Sequence, residues 1–102
     1  MALPALPIKR LVRAFSPQRI VLFGSYAKGT AEPGSDLDLL VIMDLPGNPE
    51  TDGRRARQLV ATSFPPVDVT LCTAEEVDTA DTTASPFLRS ILGSGITVYK
   101  RP

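Results

Sequence analysis

Short apolar runs separated by turn residues set out this chain. Leu39-Leu40-Val41-Ile42 is unbroken, aliphatic and short, the pattern of a buried strand rather than a helix, and it predicts a strand from Leu37 to Ile42. Ile20 to Phe23 reads the same way. Val67-Asp68-Val69-Thr70-Leu71 alternates apolar and polar positions, as a strand with one buried face does, and runs to Cys72. A last strand is expected from Ile96 to Tyr99. Between these, helices are expected from Pro7 to Phe15, briefly from Ser25, from Pro49 to Ser63, near Ala74 to Asp78, and from Pro86 to Leu92. The Pro49 helix, starting near Asn48-Pro49, would turn Ala56, Leu59, Val60 and Ser63 inward. The ten prolines fall mostly between these elements and sharpen their ends. Residues 79–85 are small and polar with no apolar spacing, and are expected to be the most mobile loop.

Composition narrows the reading. With 102 residues, 43% of them hydrophobic, the chain fits one compact domain over 1–102. Eleven basic and eleven acidic side chains cancel and the bases are dispersed, so tight nonspecific nucleic-acid binding, which needs many phosphate contacts, is not expected. Arg54, Arg55 and Arg57 form one small cluster, read as a solvated helix face or as a docking point for an acidic partner or for phosphates. No histidine is present, which removes Ser-His and Cys-His mechanisms and the usual zinc sites. Cys72 is single, so no internal disulfide forms, and its place after a strand marks it as core. Lys9, Arg10 and Arg13 interrupt the apolar residues near the start, giving an amphipathic helix rather than a signal peptide or membrane span, and a cytoplasmic location is expected.

The candidate chemistry sits at the strand ends. On a strand, residues two apart share a face, so Asp36 and Asp38 would stand side by side about 7 Å apart at their Cα atoms. Two carboxylates at the entry of an apolar strand repel and lose solvation, and Mg²⁺ is the natural counterion because it binds oxygen ligands and substrate phosphates together. Taken alone, the pair also fits a turn acid followed by an exposed strand position. Just upstream, Gly24-Ser25 follows a strand and opens a short helix. Its glycine lets backbone N–H groups approach an anion, Ser25 offers a hydroxyl, Lys28 a charge, and Gly29 a left-handed stop. Tyr26 either stacks on a base or fills the turn, the latter being the commoner use of such an aromatic. Asp68 could join Asp36 and Asp38 from an adjacent strand, or face solvent on the polar side of its own.

These residues together resemble the minimal nucleotidyltransferases of the DNA polymerase beta-like superfamily, which are commonly encoded beside HEPN-domain toxins. The likeness rests on Leu22-Phe23-Gly24-Ser25, Lys28-Gly29, Ser35-Asp36-Leu37-Asp38, Asp68, and an ending of Phe87 to Leu92 then Gly95 to Tyr99. Lys28 stands where arginine is frequent, which keeps the charge without the bidentate fork. The resemblance implies an α/β (α+β) fold, a small mixed β-sheet flanked by helices. It implies a nucleotide site at Gly24, Ser25, Lys28 and Ser35, with Asp36, Asp38 and Asp68 as catalytic, metal-holding acids for two Mg²⁺ ions and ATP as substrate. It further implies AMP transfer to a hydroxyl, a tyrosine, of a HEPN-type toxin, making the chain an antitoxin that acts as an enzyme within a hetero- or homo-oligomer. Two other readings stay open: an antitoxin that neutralises by stoichiometric binding, and transfer to a small molecule, against which the lack of an acceptor domain speaks.

Overall fold

The computed structural model describes residues 6–44, 46–79 and 86–102. Their elements run α1 (Ile8–Phe15), β1 (Arg19–Phe23), α2 (Ser25–Lys28), β2 (Leu37–Met43), α3 (Pro49–Val60), β3 (Val67–Thr73), α4 (Ala74–Asp78), α5 (Pro86–Ser94) and β4 (Ile96–Lys100). Apart from Thr79, which closes α4, the loop expected over 79–85 lies outside the described residues.

The four strands form one sheet in the order β3-β2-β1-β4. It is mixed: β1 runs antiparallel to both β2 and β4, whereas β2 and β3 are parallel. A parallel pair cannot be joined by a tight turn, and α3 supplies the crossover. The apolar run of β2 is explained by its place, second in the sheet and covered on both faces. Leu37, Leu39 and Val41 point into one core with Leu11 of α1 and Val60 of α3, while Leu40 and Ile42 point into another with Leu88 and Ile91 of α5. All five of these β2 side chains are essentially inaccessible to water. Helices α1, α2 and α3 therefore cover one face of the sheet, and α4 and α5 the other.

Local chemistry sets the element ends. At α3 the Asn48 side chain accepts hydrogen bonds from the N–H groups of Glu50 and Thr51, at 3.1 and 3.2 Å, and Pro49 occupies the first turn, where its missing N–H costs nothing. Ala56 and Val60 are buried and Leu59 is half-buried, the inward face read from the sequence. The helix stops at Val60, three residues short of the expected end. Ala61 and Ser63 donate to carbonyls only three residues back, tightening the turn before Phe64-Pro65-Pro66, where proline disfavours a helical predecessor. Thr73 and Glu76 form a reciprocal capping box on α4. Arg54, Arg55 and Arg57 are exposed, and the Arg55 guanidinium lies 5.8 Å from the centre of the Phe15 ring.

Cys72 is buried in the α4/α5 core, and burial, helped by Glu76 and opposed by Arg19, pushes its thiol up to about 11. It is thus inert as a nucleophile at neutral pH. Among the described residues no helix is long and apolar enough to cross a membrane.

Leu39 has no exposed surface and packs in the core shared by α1 and α3. Leu39→Ala should lower unfolding free energy by about 2–5 kcal/mol, read as a drop in the urea midpoint with an unchanged slope.

Candidate active site

The site is assembled where β1 ends and β2 and β3 begin. Antiparallel pairing sets Phe23 opposite Asp38, and parallel pairing sets Asp38 beside Asp68. Adjacent strands lie about 4.8 Å apart, so the two carboxylates spring from neighbouring backbone positions. They also share a face. Leu37, Leu39 and Val41 of β2, and Val67, Val69 and Leu71 of β3, all pack toward α1 and α3, which leaves Asp38 and Asp68 on the face of α4 and α5.

Gly24 closes this arrangement from the β1 side. Its φ of +77° and ψ of −154° belong to a region open almost only to glycine. A side chain there would also have no room, because a Cβ would collide with Asp38 Oδ2 and lie 3.2 Å from its Cγ. The bare backbone of the turn and the Asp38 carboxylate are therefore in contact. After it, α2 is a single turn: Lys28 N–H donates to the Gly24 carbonyl at 3.1 Å, and Gly29, at φ +74°, ends it. Ser25 is half-buried at the head of this turn, and Lys28 is exposed at its end.

β2 begins at Leu37, the residue at which the sequence places the start of this strand, and Asp36 stands exposed just before it. The preceding turn sets this boundary. Ser35 N–H donates to the Glu32 carbonyl and Glu32 N–H donates to Ser35 Oγ, both at 2.9 Å, and the first bond tying this strand to the β3 side is Leu37 N–H to the Pro66 carbonyl at 2.8 Å. The Ser35 hydroxyl, expected at a nucleotide, here accepts a bond that holds the turn. Tyr26 packs into the α1/α3 core, the turn-filling use favoured from the sequence.

The three acids still act on one another. Partial burial holds the Asp38 carboxyl above its usual range, and Asp68 and then Asp36 push it further the same way. The one ion pair among the described residues, Arg101 with Asp44 at 2.8 Å, lies at the far end of β2 and neutralises none of them. No group of three or more acidic, histidine or cysteine side chains among the described residues is arranged to hold a metal ion unaided. The donor set nevertheless suits Mg²⁺, which is commonly held by one or two carboxylates plus substrate phosphates. Asp38 and Asp68 supply two hard oxygen donors in register, and their uncompensated repulsion favours a cation.

A recess of about 110 Å³ opens beside the cluster, lined by Phe23, Gly24, Lys28, Phe87, Ser90 and Ile91. The larger hollows, of about 420, 520 and 350 Å³, are lined by neither the clustered acids nor Gly24, the residue through which the recess meets Asp38. The sequence reading assigned no role to Phe87. The signal available was an aromatic placed one position before the buried Leu88 and Ile91 seam of its helix.

A small mixed sheet with helices on both faces and acids gathered at one end is the polymerase beta-like nucleotidyltransferase fold. The sequence model of the nucleotidyltransferase domain matches residues 8–93, and the chain belongs to that family. It is thereby a nucleotidyltransferase. No curated protein matches the chain. Among solved structures it is similar to a toxin-antitoxin crystal structure with AMP-PNP, at TM-score 0.67 and 24% identity, covering 93% of this chain and 72% of that one. It is also similar to a Sulfolobus solfataricus protein proposed to be a nucleotidyltransferase, at TM-score 0.58 and 21% identity, covering 93% and 75%. At these identities the two structures show a shared fold.

Gly24→Ala places a methyl group against Asp38 in a backbone region that alanine resists. The substitution should cost about 1–3 kcal/mol in stability and abolish nucleotide binding, measured by thermal melting and by titration calorimetry with Mg²⁺ and ATP.

Proposed function

We propose that this enzyme moves AMP from ATP to a hydroxyl, a tyrosine side chain, of a HEPN-type toxin and so acts as that toxin's antitoxin. The observation that carries the catalytic part is the register of Asp38 with Asp68, closed by the bare Gly24 backbone against Asp38. The protein-acceptor part is supported by similarity to the toxin-antitoxin structure with AMP-PNP and by the family resemblance of the motifs.

In this reading the triphosphate lies along the Gly24-Ser25 turn. The backbone approaches it closely because nothing projects from Gly24, Ser25 offers its hydroxyl, and exposed Lys28 offers positive charge. Asp36, Asp38 and Asp68 would hold Mg²⁺, a role supported for Asp38 and Asp68 by their pairing in the sheet. When bound, the metal supplies charge neutralisation on the phosphates and lowers the acceptor hydroxyl's hold on its proton. Asp68, the more exposed of the in-register pair, is the proton acceptor for that hydroxyl. The acceptor oxygen forms a bond to the α-phosphorus as the bond from that phosphorus to the pyrophosphate oxygen breaks. Pyrophosphate leaves, AMP remains on the acceptor, and the hydroxyl proton passes to Asp68.

The open surroundings of the acids are consistent with a large acceptor. Asp36 and Asp68 are both exposed, with no described element closing over them. This reading includes a cytoplasmic setting, where ATP is available to the enzyme.

The test is transfer of α-phosphate-labelled ATP, with Mg²⁺, to the co-expressed partner or to host lysate. Wild type should label a protein, and label should fall to background in the Asp36→Asn, Asp38→Asn double variant and on chelation of Mg²⁺. Neutralisation of the toxin that survives in the double variant without any label would instead identify a stoichiometric binder. Label on a metabolite would identify a small-molecule acceptor.

A further inference from the structure

We infer that the exposed ring of Phe87 is the stacking surface for the nucleobase, which makes Phe87 a specificity-determining residue that favours a purine. This deepens the proposed nucleotide reading and rests on it. Three observations converge. First, Phe87 is one of three large apolar residues markedly open to water among those described, at 55% exposure, whereas Leu88 and Ile91 of the same helix are buried. Its ring thus stands open to solvent beside the seam by which α5 packs.

Second, the ring has a fixed place relative to the acids. It meets Phe23 edge-to-face, with centroids 5.9 Å apart and planes at 90°, and Phe23 is the cross-strand partner of Asp38. Cross-strand partners lie about 4.5–5.5 Å apart at Cα. Phe87 thus stands two side chains from the carboxylate at the reacting end, on the same face of the sheet. Third, the recess that Phe87 borders also contains Gly24 and Lys28, the backbone and charge assigned to the phosphates. A nucleotide whose phosphates lie on that turn leads its base along this recess toward α5. The recess is too small to engulf a purine, so the base would lie on its rim, where the open ring stands.

The other aromatics near the turn are less available: Phe23 is half-buried with its ring against Phe87. Tyr26 packs into the core on the opposite face of the sheet. Ser90 and Ser94 border the recess from α5, and Ser94 Oγ donates to the Ser90 carbonyl at 2.9 Å, so that hydroxyl is committed to the helix. An aromatic platform discriminates by stacking area, and purines present more of it than pyrimidines.

Titration calorimetry of the full chain with Mg²⁺, using ATP, CTP and inorganic tripolyphosphate, tests this. Phe87→Ala should weaken ATP binding about 5- to 100-fold, reduce the preference for ATP over CTP, and leave tripolyphosphate unchanged, while Phe87→Tyr should restore ATP binding. Equal ATP affinity in wild type and Phe87→Ala would overturn the inference. So would a parallel loss of ATP and tripolyphosphate, which would mean that the ring merely braces the turn through Phe23. A wild type that binds neither ligand would instead overturn the nucleotide reading itself.

Discussion

Parallel pairing of β2 with β3 places Asp38 and Asp68 at the same level of the sheet, and the site depends on that one alignment. Like charges directly opposite one another in a sheet are unfavourable, and here Asp36 adds a third from the adjoining turn. A shift of one residue would move every apolar side chain of β3 to the other face, exposing Val67, Val69 and Leu71. The alignment is therefore enforced by the core, and the repulsion between the acids cannot be relieved by slippage.

The same strand carries both the scaffold and the strain. Five of the seven residues of β2 are buried on its two faces, so that strand is anchored well beyond what its charged end loses. Asp38 sits at the edge of this anchor, where backbone position is fixed and solvent is close. Gly24 adds a second constraint. Its backbone occupies the space beside Asp38 that any side chain would fill, and its positive φ directs the chain into α2. An acidic pair that is held in place and short of countercharge is an arrangement suited to a cation-bound polyphosphate.

Much of this was legible in the sequence because it depends on short-range pattern. The unbroken apolar run of β2 marked a buried strand, and Asn48-Pro49 marked the start of α3, since both signals act within a few residues. The motifs around Gly24 and Asp38 likewise announced a close approach. The parts that escaped are set by partners distant in the chain. Strand order and the Asp38–Asp68 register follow from which faces the helices cover, information that no single segment holds. Helix α3 stopped early because Phe64-Pro65-Pro66 resists helix. Phe87 became visible only through the contact of its ring with Phe23.

The central claim is that Asp38 is held in an acidic cluster awaiting a cation, and pH-dependent thermal melting of metal-free wild type and Asp38→Asn tests it most directly. With its folded pKa raised, Asp38 binds more proton in the native than in the unfolded state, so its ionisation lowers stability as pH climbs from the unfolded value of about 3.9 through the raised one. The account predicts that Asp38→Asn melts higher at neutral pH, by no more than a few degrees given solvent screening, that the gap closes below about pH 4, and that Mg²⁺ with ATP raises the melting temperature of wild type alone. A variant that melts lower at neutral pH, or one that Mg²⁺ with ATP stabilises as much as wild type, would contradict it.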